Sequence, residues 1–180
     1  MTPETKKSMS SSASAHWCTP EEVLNLVYTV GDIALDPCSN DHSIVVSKRF
    51  NTPEQENGLA LEWSAIAQEA GGGLVFVNPP YGREISKWVK KCVIESARGA
   101  EIIALVGART ETKWFQEWIF PTAQSVCFWK GRITFIDGTG QGRVNPAFFP
   151  SALCYWGNNA TSFNLAFRSH GAIVDARETT

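Results

Sequence analysis

The sequence predicts an α/β fold: a mainly parallel sheet with helices on both faces and an antiparallel edge. Three observations carry this reading. Strand-like and helical segments alternate along the chain up to about residue 124. Two of the strand-like segments, Leu74-Val75-Phe76-Val77 and Ile102 to Val106, are unbroken apolar runs, the pattern of strands buried on both faces. Later strand-like segments follow one another with no helix between them, as at an antiparallel edge.

Taken in order, the first helix begins at Thr19-Pro20-Glu21-Glu22. Thr19 is expected as its N-cap, Pro20 as its first residue and Glu22 as the returning member of a capping box. Val23, Leu24, Leu26 and Val27 supply its apolar face. A short strand, Ile33-Ala34-Leu35, stops at Asp36-Pro37-Cys38-Ser39-Asn40, and Ser43-Ile44-Val45-Val46 is expected as the next strand. A helix is expected from Leu59 to Ala70, closed by Gly71-Gly72-Gly73. The run Leu74 to Val77 ends at Asn78-Pro79-Pro80-Tyr81-Gly82, because neither proline has an amide hydrogen to give a ladder. Residues 84 to 97 form an amphipathic helix with Ile85, Trp88, Val89, Cys92 and Val93 on one side. Arg83, Lys87, Lys90 and Lys91 fall on the other side, a solvated face or one turned to phosphate. A buried strand over Ile102 to Val106 precedes an aromatic helix with Trp114, Phe115 and Trp118. Strands follow at Ser125 to Trp129, Arg132 to Ile136 and Ala152 to Trp156, with Gly138 to Phe149 as a loop between the last two.

The chain has 180 residues, 43% of them hydrophobic, which suits one domain with a continuous core. Residues 16–180 are expected to form that domain, after a flexible segment, residues 1–15, low in apolar content. Most of the seven tryptophans are expected in the core. No run approaches the ~18 apolar residues of a membrane span, and no apolar signal core opens the chain, so no membrane partner is expected. Five cysteines without a CxxC pair read as reduced cytosolic thiols. The three histidines show no ligand-like spacing either, so no metal is expected. A net charge of −2 suggests no nucleic-acid binder, but it averages two unlike halves. Residues 1–80 hold 4 basic and 10 acidic side chains, and residues 81–180 hold 12 basic and 8 acidic.

In open sheets of this kind ligands bind at the carboxyl ends of the strands. Asp36-Pro37-Cys38-Ser39 and Asn78-Pro79-Pro80-Tyr81 both sit at such ends. Two prolines fix the backbone and so hold Asn78 and the Pro79 carbonyl at the strand end, and the Asn78 amide oxygen and that carbonyl are both hydrogen-bond acceptors. Such a pair grips a planar amino group by its two hydrogens while Tyr81 lies against the ring that bears it. Two acceptors on those hydrogens favour a pyramidal nitrogen and aim its lone pair at an electrophile, without a general base.

The chain resembles a known family at this point. Val75-Phe76-Val77-Asn78-Pro79-Pro80-Tyr81-Gly82 is similar to the catalytic strand and loop of amino-group methyltransferases that use S-adenosylmethionine. Trp17-Cys18-Thr19-Pro20, Leu35-Asp36-Pro37-Cys38, Asn57-Gly58-Leu59 with Trp63, Ala108-Arg109-Thr110 with Trp114-Phe115, and Gly131-Arg132-Ile133 with Phe135 occur in that order. Together, over residues 16–156, they resemble the small phage-type DNA N6-adenine methyltransferases, the phage Dam family. The resemblance implies a Rossmann-like methyltransferase fold, S-adenosylmethionine as cofactor and double-stranded DNA as partner. It implies that Asn78, Pro79, Pro80 and Tyr81 hold an adenine amine, with the base turned out of the duplex. It implies a cofactor pocket of Trp17, Thr19, Pro20, Asp36, Pro37, Cys38 and Asn78, with the helix N-terminus facing the methionine carboxylate. A phage-encoded enzyme in a bacterial cytoplasm, monomeric or weakly dimeric, completes the picture.

Three features set the chain apart from that pattern. Asp36-Pro37-Cys38-Ser39 stands in place of a glycine-rich loop, and Asn57 stands where many relatives carry an acidic residue. No separate target-recognition domain is visible, so specificity is expected from loops at Arg109–Lys113 and Lys130–Arg143. Arg83, Arg109, Lys113, Arg132 and Arg143 are the expected phosphate contacts. Other readings of the same residues are an RNA base or a protein glutamine amide as acceptor, a nucleic-acid-binding module without catalysis, and a structural phage or host protein.

Overall fold

The computed structural model describes residues 17–53, 55–137 and 144–175; the segment expected to be flexible, residues 1–15, lies outside them. The elements are β1 (Trp17–Cys18), α1 (Glu21–Val30), β2 (Ile33–Asp36), β3 (Ser47–Phe50), α2 (Trp63–Glu69), β4 (Leu74–Val77) and α3 (Ile85–Ala97). Then come β5 (Glu101–Gly107), a π-helical turn (Phe115–Ile119), β6 (Ser125–Trp129), β7 (Thr134–Asp137), β8 (Val144–Pro146), β9 (Ser151–Trp156), α4 (Ala160–Phe167) and β10 (Gly171–Asp175).

Seven strands form one sheet in the order β10-β6-β9-β5-β4-β2-β3. The pairings β2 with β3, β2 with β4 and β4 with β5 are parallel. Those of β5 with β9, β6 with β9 and β6 with β10 are antiparallel. The sheet is therefore mixed, and its antiparallel part is wider than the edge expected from the sequence. β1, β7 and β8 make a second, three-stranded antiparallel sheet.

Helices cover both faces of the large sheet, as the continuous apolar strands require. On one face Trp63 and Ala67 of α2, Trp88, Val89 and Cys92 of α3, and Phe115 and Ile119 pack on Leu35, Val75, Val77, Ile102 and Ala104. Val23, Leu24 and Val27 of α1 and Phe163 and Phe167 of α4 pack on Leu74, Phe76, Ile103 and Leu105 on the other. Trp63, Trp88 and Trp156 are buried, whereas Trp17, Trp114, Trp118 and Trp129 are half-buried, so fewer tryptophans lie in the core than expected.

Several elements differ from expectation for identifiable reasons. The strand expected at Ser43–Val46 lies at Ser47–Phe50, and Val46 is 75% exposed. An edge strand pairs through its backbone and needs no apolar inward side chain on every second residue. Lys48 of that strand also donates to the Ala70 and Gly72 carbonyls beyond the end of α2. α2 starts at Trp63 rather than Leu59, because residues 57–60 form turns against β2's end. The aromatic helix is only a π-helical turn, marked by the Phe120 amide donating to the Phe115 carbonyl at 3.1 Å. Part of the loop expected at Gly138–Phe149 is β8, which forms a hairpin with β7. α4 and β10 lie beyond the last expected element; the Asn159 side chain caps α4 by accepting from the Ser162 amide at 3.2 Å.

Candidate active site

β2 and β4 are parallel neighbours, so their carboxyl ends open together. Asp36 ends the first and Asn78 follows the second. The Asn78 backbone amide faces the Cys38 sulfur, which joins the two irregular segments singled out in the sequence. Burial and the neighbouring Asp36 carboxyl hold the Cys38 thiol protonated, well above the ordinary thiol range.

The orientation of the Asn78 amide follows from its partners. Its Nδ2 donates to Thr19 Oγ1 at 3.1 Å and to the Trp17 carbonyl at 3.4 Å. A carbonyl only accepts, so the NH2 group must be on that side. Oδ1 is thereby turned the other way, where it is buried and, among the described residues, has no hydrogen-bond partner. An orphaned buried acceptor is costly unless something outside the chain satisfies it. Pro79 behind it is buried and Pro80 half-buried.

β1 delivers both anchors. Its antiparallel pairing with β7 sets Trp17 opposite Asp137 and Cys18 opposite Ile136, which carries the Trp17–Thr19 segment across the strand ends. Cys18 Sγ donates to Asn40 Oδ1 at 3.3 Å, tying the same segment to the loop after β2. Thr19 does not cap α1: the helix begins after half-buried Pro20 with no side-chain cap. Its hydroxyl is buried and taken by Asn78, which is why the expected capping box does not form. The first turn of α1 carries Glu21 and Glu22, which already answer its dipole.

Asp36 is 4% exposed. Burial pushes its pKa up to about 7, against the lowering effect of hydrogen bonds from the Cys38 amide and the Ser39 side chain. Pro37 is buried beside it, and its carbonyl accepts from Asn51 Nδ2 at 3.3 Å. Asn51 also reaches the Glu56 carbonyl at 2.8 Å, so one side chain joins the turn after β2 to the 51–58 loop. That loop presses so close that a Cβ on Gly58 would stand 2.0 Å from the Pro37 oxygen.

Tyr81 is half-buried within an aromatic group. Its ring meets Phe135 edge-on with centroids 6.0 Å apart, and Phe149 at 5.5 Å in a tilted contact. Trp17 in turn meets Phe135 edge-on at 6.3 Å. Burial raises the Tyr81 pKa, so its hydroxyl stays protonated. Phe149 and Asn51 had no assignment from sequence. The only local signal for the first is an aromatic pair before Pro150 at the start of β9, and nothing local marks the second.

The basic residues divide. Arg83 and Arg132 are exposed, and among the described residues neither has a carboxylate within salt-bridge distance. Arg109 pairs with Glu111 at 3.2 Å and Lys113 with Glu117 at 3.6 Å, all on exposed side chains. Arg143 lies outside the described residues. Lys91 does not belong to a solvated or phosphate-facing side, since its ammonium lies 2.8 Å from the fully buried Glu95 carboxylate. Lys87 pairs with Glu84, and Lys90 lies 5.9 Å above the Trp118 ring.

Among the described residues no group of three His, Cys, Asp or Glu side chains is placed to hold a metal ion, and no helix is long and apolar enough to cross a membrane. All five cysteines are free thiols. A family model described as DNA N-6-adenine-methyltransferase (Dam) matches residues 6–177. Comparison with curated proteins and with solved structures finds no match.

Proposed function

Because the chain belongs to the DNA N-6-adenine-methyltransferase (Dam) family, we propose that it moves a methyl group from S-adenosylmethionine to N6 of an adenine turned out of duplex DNA. The observation that carries this reading is the Asn78 amide: Nδ2 anchored, Oδ1 buried and unanswered. That is the arrangement an incoming amino group needs, and among the described residues none donates to Oδ1. The parallel strands β3-β2-β4-β5 with helices on both faces suit a Rossmann-like methyltransferase sheet, with residues 16–180 as its single domain.

Bound S-adenosylmethionine supplies an electrophilic methyl on a sulfonium. The residues at the two strand ends fit such a molecule. Asp36 offers a buried carboxyl group for hydroxyl or ammonium donors, while Thr19, Pro20, Trp17, Pro37 and Cys38 form the surrounding wall. Asn78 Oδ1 and the Pro79 carbonyl accept the two amine hydrogens, which draws the nitrogen lone pair out of the ring and aims it across the gap. Tyr81, held by Phe135 and Phe149, offers a ring to stack on the base. The amine must be freed from its Watson–Crick partner before these acceptors can reach it. Arg83, Arg109, Lys113, Arg132 and Arg143 supply the phosphate contacts of the duplex. Since the proton leaves a nitrogen made acidic by alkylation, no strong base is required beside it.

The test is methyl transfer from labelled S-adenosylmethionine to unmodified duplex DNA, with sequencing of the product to locate N6-methyladenine. Asn78→Ala should lower transfer at least about a hundredfold while leaving cofactor binding largely intact. Transfer to RNA or protein, but not to DNA, would overturn the acceptor. No cofactor binding by calorimetry would overturn the chemistry.

A further inference from the structure

Phe148 and Phe149 are adjacent, yet they face opposite surroundings. Phe149 turns inward onto Tyr81, and its ring lies so near Gly107 that a Cβ there would stand 3.0 Å away. Phe148 turns outward and is 77% exposed, more than any other large apolar side chain described. Exposure of one phenylalanine is common, but this one is held in place. The Ala147 amide donates to the Ile133 carbonyl at 2.8 Å, and the Ala108 amide to the Pro150 carbonyl at 2.7 Å. Hydrogen bonds thus pin the segment on both sides, one to the strand leading into β7 and one to the carboxyl end of β5. The exposed ring thus stands on a backbone held at both flanks, one residue from the ring that supports Tyr81. Arg109 starts from the same strand end, its Cγ 3.7 Å from the Cβ position of Gly107.

We infer that Phe148 is the wedge that enters the base stack and fills the space vacated by the target adenine. The inference rests on the reading of this site as one that acts on a base outside the duplex. An extruded base leaves a planar apolar gap, and an inserted apolar side chain fills it and keeps the helix from closing. A flat ring on a tethered segment can enter that gap with little further loss of conformational freedom. The backbone then couples the two events: Phe148 in the stack and Phe149 against Tyr81 are consecutive residues, so occupying the gap fixes the base-holding ring. Arg109 at the same strand end would meet a phosphate flanking the opened pair.

The test compares the wild type with Phe148→Ala and Phe148→Trp on duplexes containing the recognised site, mapped beforehand by sequencing methylated DNA. One duplex is fully paired; a second has an abasic position opposite the target adenine, so that base opens without help. Phe148→Ala should lose roughly tenfold or more in transfer on the paired duplex and recover most of it on the abasic one. Phe148→Trp should retain activity on both. With 2-aminopurine at the target position, the wild type should raise its fluorescence and Phe148→Ala should not. Since the ring is exposed, thermal unfolding should be unchanged in both variants. Equal activity of Phe148→Ala and wild type on paired DNA overturns the wedge alone, as does an equal loss on both duplexes. A wild type that methylates adenine in neither duplex overturns the parent reading and the wedge with it.

Discussion

Thr19 Oγ1 lies 3.1 Å from Asn78 Nδ2, although the residues are 59 positions apart in the chain. Together with the Trp17 carbonyl, which can only accept, the contact holds the Nδ2 end of the Asn78 amide inward and leaves Oδ1 facing outward. Its loss should therefore act on catalysis rather than on the fold. Thr19→Val keeps the shape and removes the acceptor. One neutral hydrogen bond is worth about 1 kcal/mol, so kcat should fall five- to tenfold, or more if the amide turns over. Thr19→Ser should restore most of the rate. Single-turnover methyl transfer with all three chains makes the comparison.

Asp36 should make stability depend on pH in an unusual direction. Burial raises its pKa from 3.8 to about 7, so the folded chain holds a proton there that the unfolded chain has released. Between those values the native state binds more protons, and stability falls as pH rises. The wild type should lose about 2–3 kcal/mol between pH 5 and pH 8 relative to Asp36→Asn, which carries no titrating group there. Urea unfolding of both chains at each pH reads the difference. A gap that stays constant would show that the carboxyl is not protonated in the fold.

Much of this arrangement is legible locally. An apolar run that stops at two prolines marks β4 and the rigid Asn78. Val23, Leu24 and Val27 at helical spacing mark α1. What local patterns do not carry is partner choice. Thr19-Pro20-Glu21-Glu22 has every sign of a capping box, but a partner 59 residues away takes the hydroxyl. Lys91 shares a helical face with exposed lysines, yet Glu95 one turn on is drawn under the helix by Ser64 of α2 and takes Lys91 with it. β3 has no apolar alternation because an edge strand can pair by backbone alone, whereas the strand-like apolar pattern lies just before it, at Ile44-Val45-Val46. α4 and β10 are eight and five residues long, too short for apolar spacing to mark either of them locally.

Gly58 is required by contact, not by backbone angle. A methyl group there would press on the Pro37 carbonyl at 2.0 Å and touch the Trp88 ring at 3.0 Å. Gly58→Ala should therefore push the 51–58 loop off the turn after β2. The expected cost is about 2 kcal/mol of stability, as for other overpacked sites. Because that loop braces the Pro37 carbonyl through Asn51, next to Asp36, cofactor affinity measured by calorimetry should fall as well. Gly72→Ala serves as a contrast: nothing lies within 4 Å of its Cβ position, so its cost should come only from its φ of 82°.

Glu95 supplies a stability test away from the site. Its side chain is fully buried and accepts from the Ser64 amide at 2.9 Å, with Lys91 at 2.8 Å and Arg98 at 3.1 Å. Burial opposes its charge, but the Lys91 and Ser64 hydrogen bonds win and hold its pKa below 4.5. Glu95→Gln leaves Lys91 partly buried without a counter-charge and should cost about 3 kcal/mol at neutral pH. A lowered carboxylate pKa stabilises above the ordinary range and is lost as pH falls, so the wild-type advantage should shrink below pH 4.5. Methyl transfer per folded molecule should be unchanged.

Salt dependence separates the basic residues that face DNA from those that serve the fold. Each phosphate neutralised by a cation releases counterions, so binding weakens with salt in proportion to the number of such contacts. Arg83 and Arg132 are exposed and free of carboxylates among the described residues, so as proposed phosphate contacts they have no internal pair to break. Arg83→Ala and Arg132→Ala should each lower the slope of log K against log salt by about one, equally for specific and random duplexes. Arg109→Ala should do the same, because an exposed pair with Glu111 is worth little and exchanges readily for a phosphate. Lys91→Met should leave the slope untouched, since its ammonium is committed to Glu95, while lowering the unfolding midpoint. Fluorescence anisotropy over a salt series, with denaturant melts on the same variants, resolves both quantities. A slope change for Lys91→Met equal to that for Arg83→Ala would mean that the α3 basic side meets DNA as one surface, against the burial of its central ion pair.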